Sequence, residues 1–177
     1  MTDLLSLDLV DKGLVTNQLT LTIGYDIENL TDPQRRAKYR GEVTTDFYGR
    51  KVPKHAHGTA NLKRKTASTH MIVDAIMELY DRIVDKDLLV RRITLTAANL
   101  QEERFAATEA DFTQLDMFTD TAAQEREDAA LDREKRRQQA VIRIKKKFGK
   151  NAIVKGMNLE EGATAMDRNR QIGGHKA

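Results

Sequence analysis

The stretch QLTLTIGY, residues 18–25, alternates without a break. Leu19, Leu21, Ile23 and Tyr25 share one side; Gln18, Thr20 and Thr22 share the other. A period of two over eight residues predicts a strand with one face on a core and one face open. Its neighbours follow from it. Upstream, Thr2 to Val15 reads as a helix: Thr2 is placed to cap it, Asp3 favours its first turn, and Leu4, Leu7 and Leu14, flanked by Leu5 and Val10, recur at helical spacing. Gly13 is a weak point near its end.

Downstream, residues 27–55 hold both prolines, Pro33 and Pro53, together with Arg35, Arg36, Lys38, Arg40, Arg50, Lys51 and Lys54. A long basic loop or an extended hairpin is expected there. Gly58 to Thr66 predicts a second strand, with Thr59, Asn61, Lys63 and Lys65 on one face. Ser68 or Thr69 is placed to cap a helix whose stripe is Met71, Ile72, Ala75, Ile76, Leu79, Tyr80 and Ile83. A third strand spans roughly 89–100, with Ile93, Leu95 and Ala97 opposite Arg92, Thr94 and Thr96. The order helix, strand, strand, helix, strand predicts an α+β fold, with two helices packed on one face of a small antiparallel sheet. That domain is expected to fill residues 1–101.

The remaining chain differs in composition. Residues 102–121 carry six acids (Glu102, Glu103, Glu109, Asp111, Asp116, Asp120) against Arg104, and read as an acidic linker. Residues 122–150 read as a basic helix, with nine cations and only Glu134 as an acid between Arg133 and Lys150. Residues 151–177, with four glycines and little apolar mass, read as a flexible tail.

The whole chain has 177 residues, 40% of them hydrophobic and 32% charged, a net charge of +3 and a mean hydropathy of −0.59. No apolar run approaches the ~20 residues needed to span a bilayer. Cysteine is absent, which excludes disulfides, thiolate metal sites and cysteine nucleophiles. A cytoplasmic protein is expected. The sequence has no phosphate-binding P-loop, no dinucleotide glycine motif and no Ser/His/Asp arrangement. His55 and His57 form an H-x-H that would suit a metal pair or, more simply, surface imidazoles, since no further ligands at zinc-like spacing accompany them.

Two features point to binding. The open sheet face combines the hydroxyls of Thr20, Thr22, Thr94 and Thr96 with Asn61 and three cations, Lys63, Lys65 and Arg92, and no carboxylate. Such a face is either ordinary solvated surface or a surface that tracks phosphates. It has no aromatic side chain, so contact with a duplex backbone is expected rather than base stacking. The second feature is Gln114-Leu115-Asp116-Met117-Phe118 in the acidic segment. Three large apolar residues in a polar stretch either fold back on the domain or enter a partner's groove as an extended peptide.

Gln-Leu-Asp-Met-Phe resembles the pentapeptide by which bacterial proteins bind the sliding clamp. LDLVDKGLVTNQLTLTIGYDIENL (7–30), HGTANLKRKTAST (57–69) and KKKFGKNAIVKGMNLEEGATAMDRNRQIGGHKA (145–177) resemble the C-terminal portion of Y-family lesion-bypass DNA polymerases of the UmuC/DinB type. The resemblance covers essentially the whole chain. It implies a little-finger-like domain that grips template-primer duplex through its sheet, followed by a clamp-binding tail, in a protein of DNA repair. Carried over by position, Lys63, Arg64, Lys65 and Thr66 fall where the family's middle strand meets phosphate, and Arg91 and Arg92 match its paired arginines. Thr94 joins the expected DNA-binding set, while Gln114, Leu115, Met117 and Phe118 match the clamp peptide.

The family's palm holds carboxylates for two Mg²⁺ ions, and nothing here resembles those motifs. The chain is therefore expected to have no catalytic activity and to need no cofactor. Its partners would be duplex DNA and the clamp, it would act as a monomer at the nucleoid, and its little finger would lack the family's first strand. A free-standing regulator that competes with intact polymerases for the clamp is the alternative.

Overall fold

The computed structural model describes residues 1–110, 121–172 and 175–176. The chain divides into two compact units, residues 1–117 and 118–177. The first opens with helix α1 (Thr2–Lys12) and strand β1 (Leu14–Tyr25). Short helices α2 (Glu28–Thr31) and α3 (Pro33–Lys38) and a hairpin of β2 (Val43–Thr45) and β3 (Lys51–Pro53) follow. Then come β4 (Ala56–Thr66), α4 (Thr69–Ile83), β5 (Val90–Ala98), β6 (Gln101–Glu102) and α5 (Glu103–Ala110).

The sheet is antiparallel, in the order β4-β1-β5, with β6 beside the first residues of β1. The central strand is the one whose alternation is cleanest. Leu19, Leu21, Ile23 and Tyr25 are buried against Leu9 of α1 and Ile72, Ile76 and Leu79 of α4. Each such side chain contributes about 1.5–3 kcal/mol by leaving water. Two helices therefore cover one face, as the periodicity predicts. They also touch through a 2.8 Å hydrogen bond between the hydroxyls of Ser6 and Thr69. Helix α4 begins as expected, with the Ser68 hydroxyl accepting from the Met71 N–H at 3.3 Å.

Several boundaries move. Helix α1 stops at Lys12 rather than Val15, because Gly13 adopts the left-handed conformation (φ 64°) and its N–H closes on the carbonyls of Leu9 and Val10. Leu14 and Val15 thus open the strand, four residues before the alternation starts. Thr2 is the first helical residue and Met1 the N-cap, with no side-chain cap bond. Strand β5 ends at Ala98, where Asn99 turns to φ 51°.

The basic stretch 27–55 is folded. Asp32 caps α3 by accepting from Arg35 N–H at 2.8 Å, with Pro33 at the first helical position. Asn29 is fully buried; its amide donates to the carbonyls of Asp26 (2.9 Å) and Leu89 (3.0 Å) and accepts from Leu89 N–H (2.9 Å). Tyr39 is buried as well; its hydroxyl donates to the Glu42 carbonyl at 2.6 Å, and burial pushes its pKa up.

Residues 102–110, expected as the start of a solvated linker, belong to β6 and α5. Glu102 and Gln101 pair with Leu14 and Val15, and Glu103 N–H donates to Gly13 at 2.9 Å. Strand pairing is a backbone affair, so the acidic side chains do not preclude it.

In the second unit α6 runs from Thr121 to Phe148 and ends at Gly149 (φ 97°), close to the expected bounds. The tail differs from expectation. It holds a 3-10 turn (Gly156–Leu159), helix α7 (Ala165–Asn169) and a small pair of strands, β7 (Gln171–Ile172) and β8 (His175–Lys176). Asn151 ties it together, donating to the Met166 carbonyl at 3.2 Å and accepting from the Asn169 amide at 2.6 Å. Among the described residues no helix is long and apolar enough to cross a membrane.

Candidate nucleic-acid interface

The open face of the sheet is built in rows across three strands. Register places Asn61, Gln18 and Ala98 in one row; Thr59, Thr20 and Thr96 in the next; His57, Thr22 and Thr94 in the third; and Gly24 with Arg92 in the last. No carboxylate stands in these rows. The side chains pair across strands: the Gln18 amide donates to Asn61 Oδ1 at 3.2 Å, and the Thr22 hydroxyl meets His57 Nδ1 at 2.9 Å. From sequence, His57 falls just before the expected second strand, in an H-x-H that reads as surface imidazoles more simply than as a metal pair. It stands instead on β4 in the polar row, its ring 6.5 Å from that of His55. Extending the alternation of Thr59 and Asn61 back by two would have found it. Among the described residues no group of three His, Asp or Glu side chains gathers to hold a metal.

The cations do not form one patch. Pairing between β1 and β4 is regular to Asn61 and resumes only at Thr66, so residues 62–65 bulge. Lys63 and Arg64 are exposed on this bulge, whereas Lys65 is half-buried and its ammonium donates to Gln101 Oε1. Thr66 does not share the face: it is buried, and its hydroxyl accepts from the Ser68 N–H at 3.0 Å.

At the other end a second irregularity, between Gly24 and Tyr25, falls at Arg91 on β5, between Val90 and Arg92. Arg92 lies opposite Gly24 on the open side, in line with Thr94. Arg91 is the extra residue at that irregularity, outside the rows, and its Nη1 stands 3.9 Å from Asp26 Oδ2. Of the two adjacent arginines only Arg92 stands in a register row, while Arg91 is engaged by a carboxylate. Lys63 and Arg92 flank six residues of β1, about 20 Å of strand, with neutral hydroxyls and amides between.

The 33–54 insertion adds charge. Its two acids are engaged: Glu42 with Lys54 at 2.6 Å, and Asp46 with Arg50 at 2.7 Å. Arg50's hydrogen bond holds the Asp46 carboxyl below the ordinary carboxylate range. Arg35, Arg36, Lys38, Arg40 and Lys51 have no carboxylate partner among the described residues. In the second unit, Arg133, Arg136, Arg137, Arg143, Lys146 and Lys147 are exposed along α6. Gln114, Leu115, Met117 and Phe118 lie outside the described residues.

Comparison with curated proteins and with solved structures found no match. Comparison with family models matched one, the impB/mucB/samB family C-terminal domain, over residues 1–117. The match spans the first compact unit, with its antiparallel sheet and two covering helices. The chain therefore belongs to the impB/mucB/samB family and carries, in residues 1–117, the C-terminal domain of UmuC/DinB-type Y-family polymerases.

Proposed function

We propose that the chain holds duplex DNA on its open sheet face and ties itself to the sliding clamp through Gln114, Leu115, Met117 and Phe118, contributing attachment rather than catalysis to lesion bypass. The observation that carries the DNA reading is the face itself: exposed cations at both ends, a neutral floor of Thr, Asn and Gln, and no carboxylate in its rows. A duplex groove about 12 Å wide fits between cations separated by about 20 Å, with each end neutralising one phosphate strand. Hydroxyls and amides between them position the backbone without reading sequence. The clamp peptide adds a second attachment, so each raises the effective concentration for the other. A peptide of five residues reaches about micromolar affinity, roughly −8 kcal/mol. Such a chain works as a monomer in the cytoplasm, at the nucleoid.

The test is a titration against purified bacterial sliding clamp and, separately, a blunt duplex, using the intact chain and a Gln114→Ala/Phe118→Ala variant. The expected result is clamp binding lost in the variant with duplex binding unchanged. Loss of both would make the peptide part of the fold; no clamp binding by the intact chain would remove the tethering half of the proposal.

A further inference from the structure

The β2–β3 hairpin carries the most exposed aromatic side chains among the described residues. Phe47 is 96% exposed and Tyr48 78%, at the turn between two three-residue strands. Neither ring packs on the domain. They face each other edge-on, with centroids 5.5 Å apart, and the Arg50 guanidinium lies 5.2 Å from the Tyr48 centroid. The turn beneath them is firmly built. Asp46 Oδ1 accepts from the N–H groups of Tyr48 and Arg50, both at 2.9 Å, and Oδ2 accepts from Arg50 Nε (2.9 Å) and Nη2 (2.7 Å). The base of the hairpin is anchored by the fully buried Pro53 and by Tyr39. A rigid stem that ends in two wetted rings has no role in the fold's own core.

We propose that this tip is a stacking platform for an unpaired base, so that the domain takes single-stranded template as well as duplex. The inference rests on the DNA-binding reading above and extends it to a second strand state. Charge selects nucleic acid over a protein groove as the occupant. Arg35, Arg36, Lys38, Arg40 and Lys51 belong to the same insertion and have no carboxylate partner among the described residues, and both acids of the insertion are neutralised in ion pairs. Open ring faces on a segment rich in cations are what sequence-tolerant single-strand binding requires, because every base offers a π-face and every nucleotide a phosphate. The preformed turn spares the rings the ordering cost that a mobile loop would incur.

The experiment compares binding of the full chain to a blunt duplex and to the same duplex bearing a single-stranded 5′ extension. The intact chain is expected to bind the extended DNA about tenfold tighter, and Phe47→Ala/Tyr48→Ala to bind both at the blunt-duplex affinity. Tyrosine emission gives a direct readout, since the chain has no tryptophan and, of its four tyrosines, Tyr25 and Tyr39 are buried and Tyr80 is half-buried against the core, which leaves Tyr48 as the exposed one. Extended DNA should quench it, and Tyr48→Phe should keep the affinity preference while losing most of the quenching. A double variant that retains the preference, or that weakens on both DNAs equally, would overturn the proposal; so would an intact chain with no preference. Binding of extended DNA without any binding of blunt duplex would overturn the duplex reading and support this one. No binding of either would sink both.

Discussion

Arg91 and Arg92 are neighbours in sequence, but only Arg92 stands in register on the open face while Arg91 faces a carboxylate, and replacing each by alanine separates two effects usually confounded. Arg92 sits on the open face opposite Gly24, in line with Thr94. If it neutralises one phosphate, removing it should reduce the slope of log K against log salt by about 0.9. Over a fourfold rise in salt, from about 50 to 200 mM, that slope corresponds to about 3.5-fold in affinity per contact. The defect of Arg92→Ala relative to the intact chain should therefore shrink about 3.5-fold across that range. It should also be the same on duplexes of unrelated sequence. Arg91 stands 3.9 Å from Asp26, its own side chain 52% exposed. Arg91→Ala should leave the slope unchanged and cost at most about 1 kcal/mol of stability, as a surface ion pair does. Fluorescence anisotropy with labelled duplex at four or five salt concentrations measures both slopes. Equal slopes for the two variants, or a larger change for Arg91→Ala, would refute the assignment of the open face as the phosphate-bearing side.

Two further predictions concern the frame that holds this face. Asn29→Ala leaves the Leu89 N–H without its acceptor and removes two amide donations to carbonyls that keep a backbone donor, so stability should fall by about 1–3 kcal/mol in urea unfolding; an unchanged midpoint would mean that the insertion is not fastened there. Gly58 faces α4, and a Cβ built on it lies 2.8 Å from Leu79 Cδ1 and 3.1 Å from Ile83 Cγ2. Gly58→Val should therefore cost about 1–3 kcal/mol by overpacking, a shift in midpoint that a neutral substitution would fail to show.

The elements legible in the sequence were those whose own periodicity meets a core. The row Leu19, Leu21, Ile23, Tyr25 and the stripe from Met71 to Ile83 predicted both the sheet and its covering helix, and Ser68 gave the helix its start. What escaped was held by tertiary contacts. Nothing local announces that Asn29 reaches Leu89, sixty positions on, or that Gln101 and Glu102 pair with Val15 and Leu14. The insertion read as a loop because its helices are four and six residues long, too short for a period to register.

The candidate face was legible as composition but not as placement. Its hydroxyls and the absence of carboxylates followed from alternation. The positions of its cations depended on two irregularities in strand pairing, at residues 62–65 and at Gly24, which shift the parity that alternation assumes. Thr66 and Arg91 entered the expected set through the family's motif rather than through alternation, and His57 joins the face by carrying the regular alternation of β4 one step further back.

The sheet order also sets a timetable for synthesis. Strand β1 is central, yet both flanking strands lie far behind it in the chain: β4 begins at Ala56 and β5 at Val90. About 65 residues separate the end of β1 from the start of β5, so at ribosomal rates of about 5–20 residues per second the emerging strand waits roughly 3–13 s for its last neighbour. During that interval Leu19, Leu21 and Ile23 have no completed core, and the edge reserved for β5 is open to any other extended chain. The nascent domain is therefore most prone to mispairing before the distal arginines have left the exit tunnel, and the most exposed segment at that stage is the strand with the cleanest pattern.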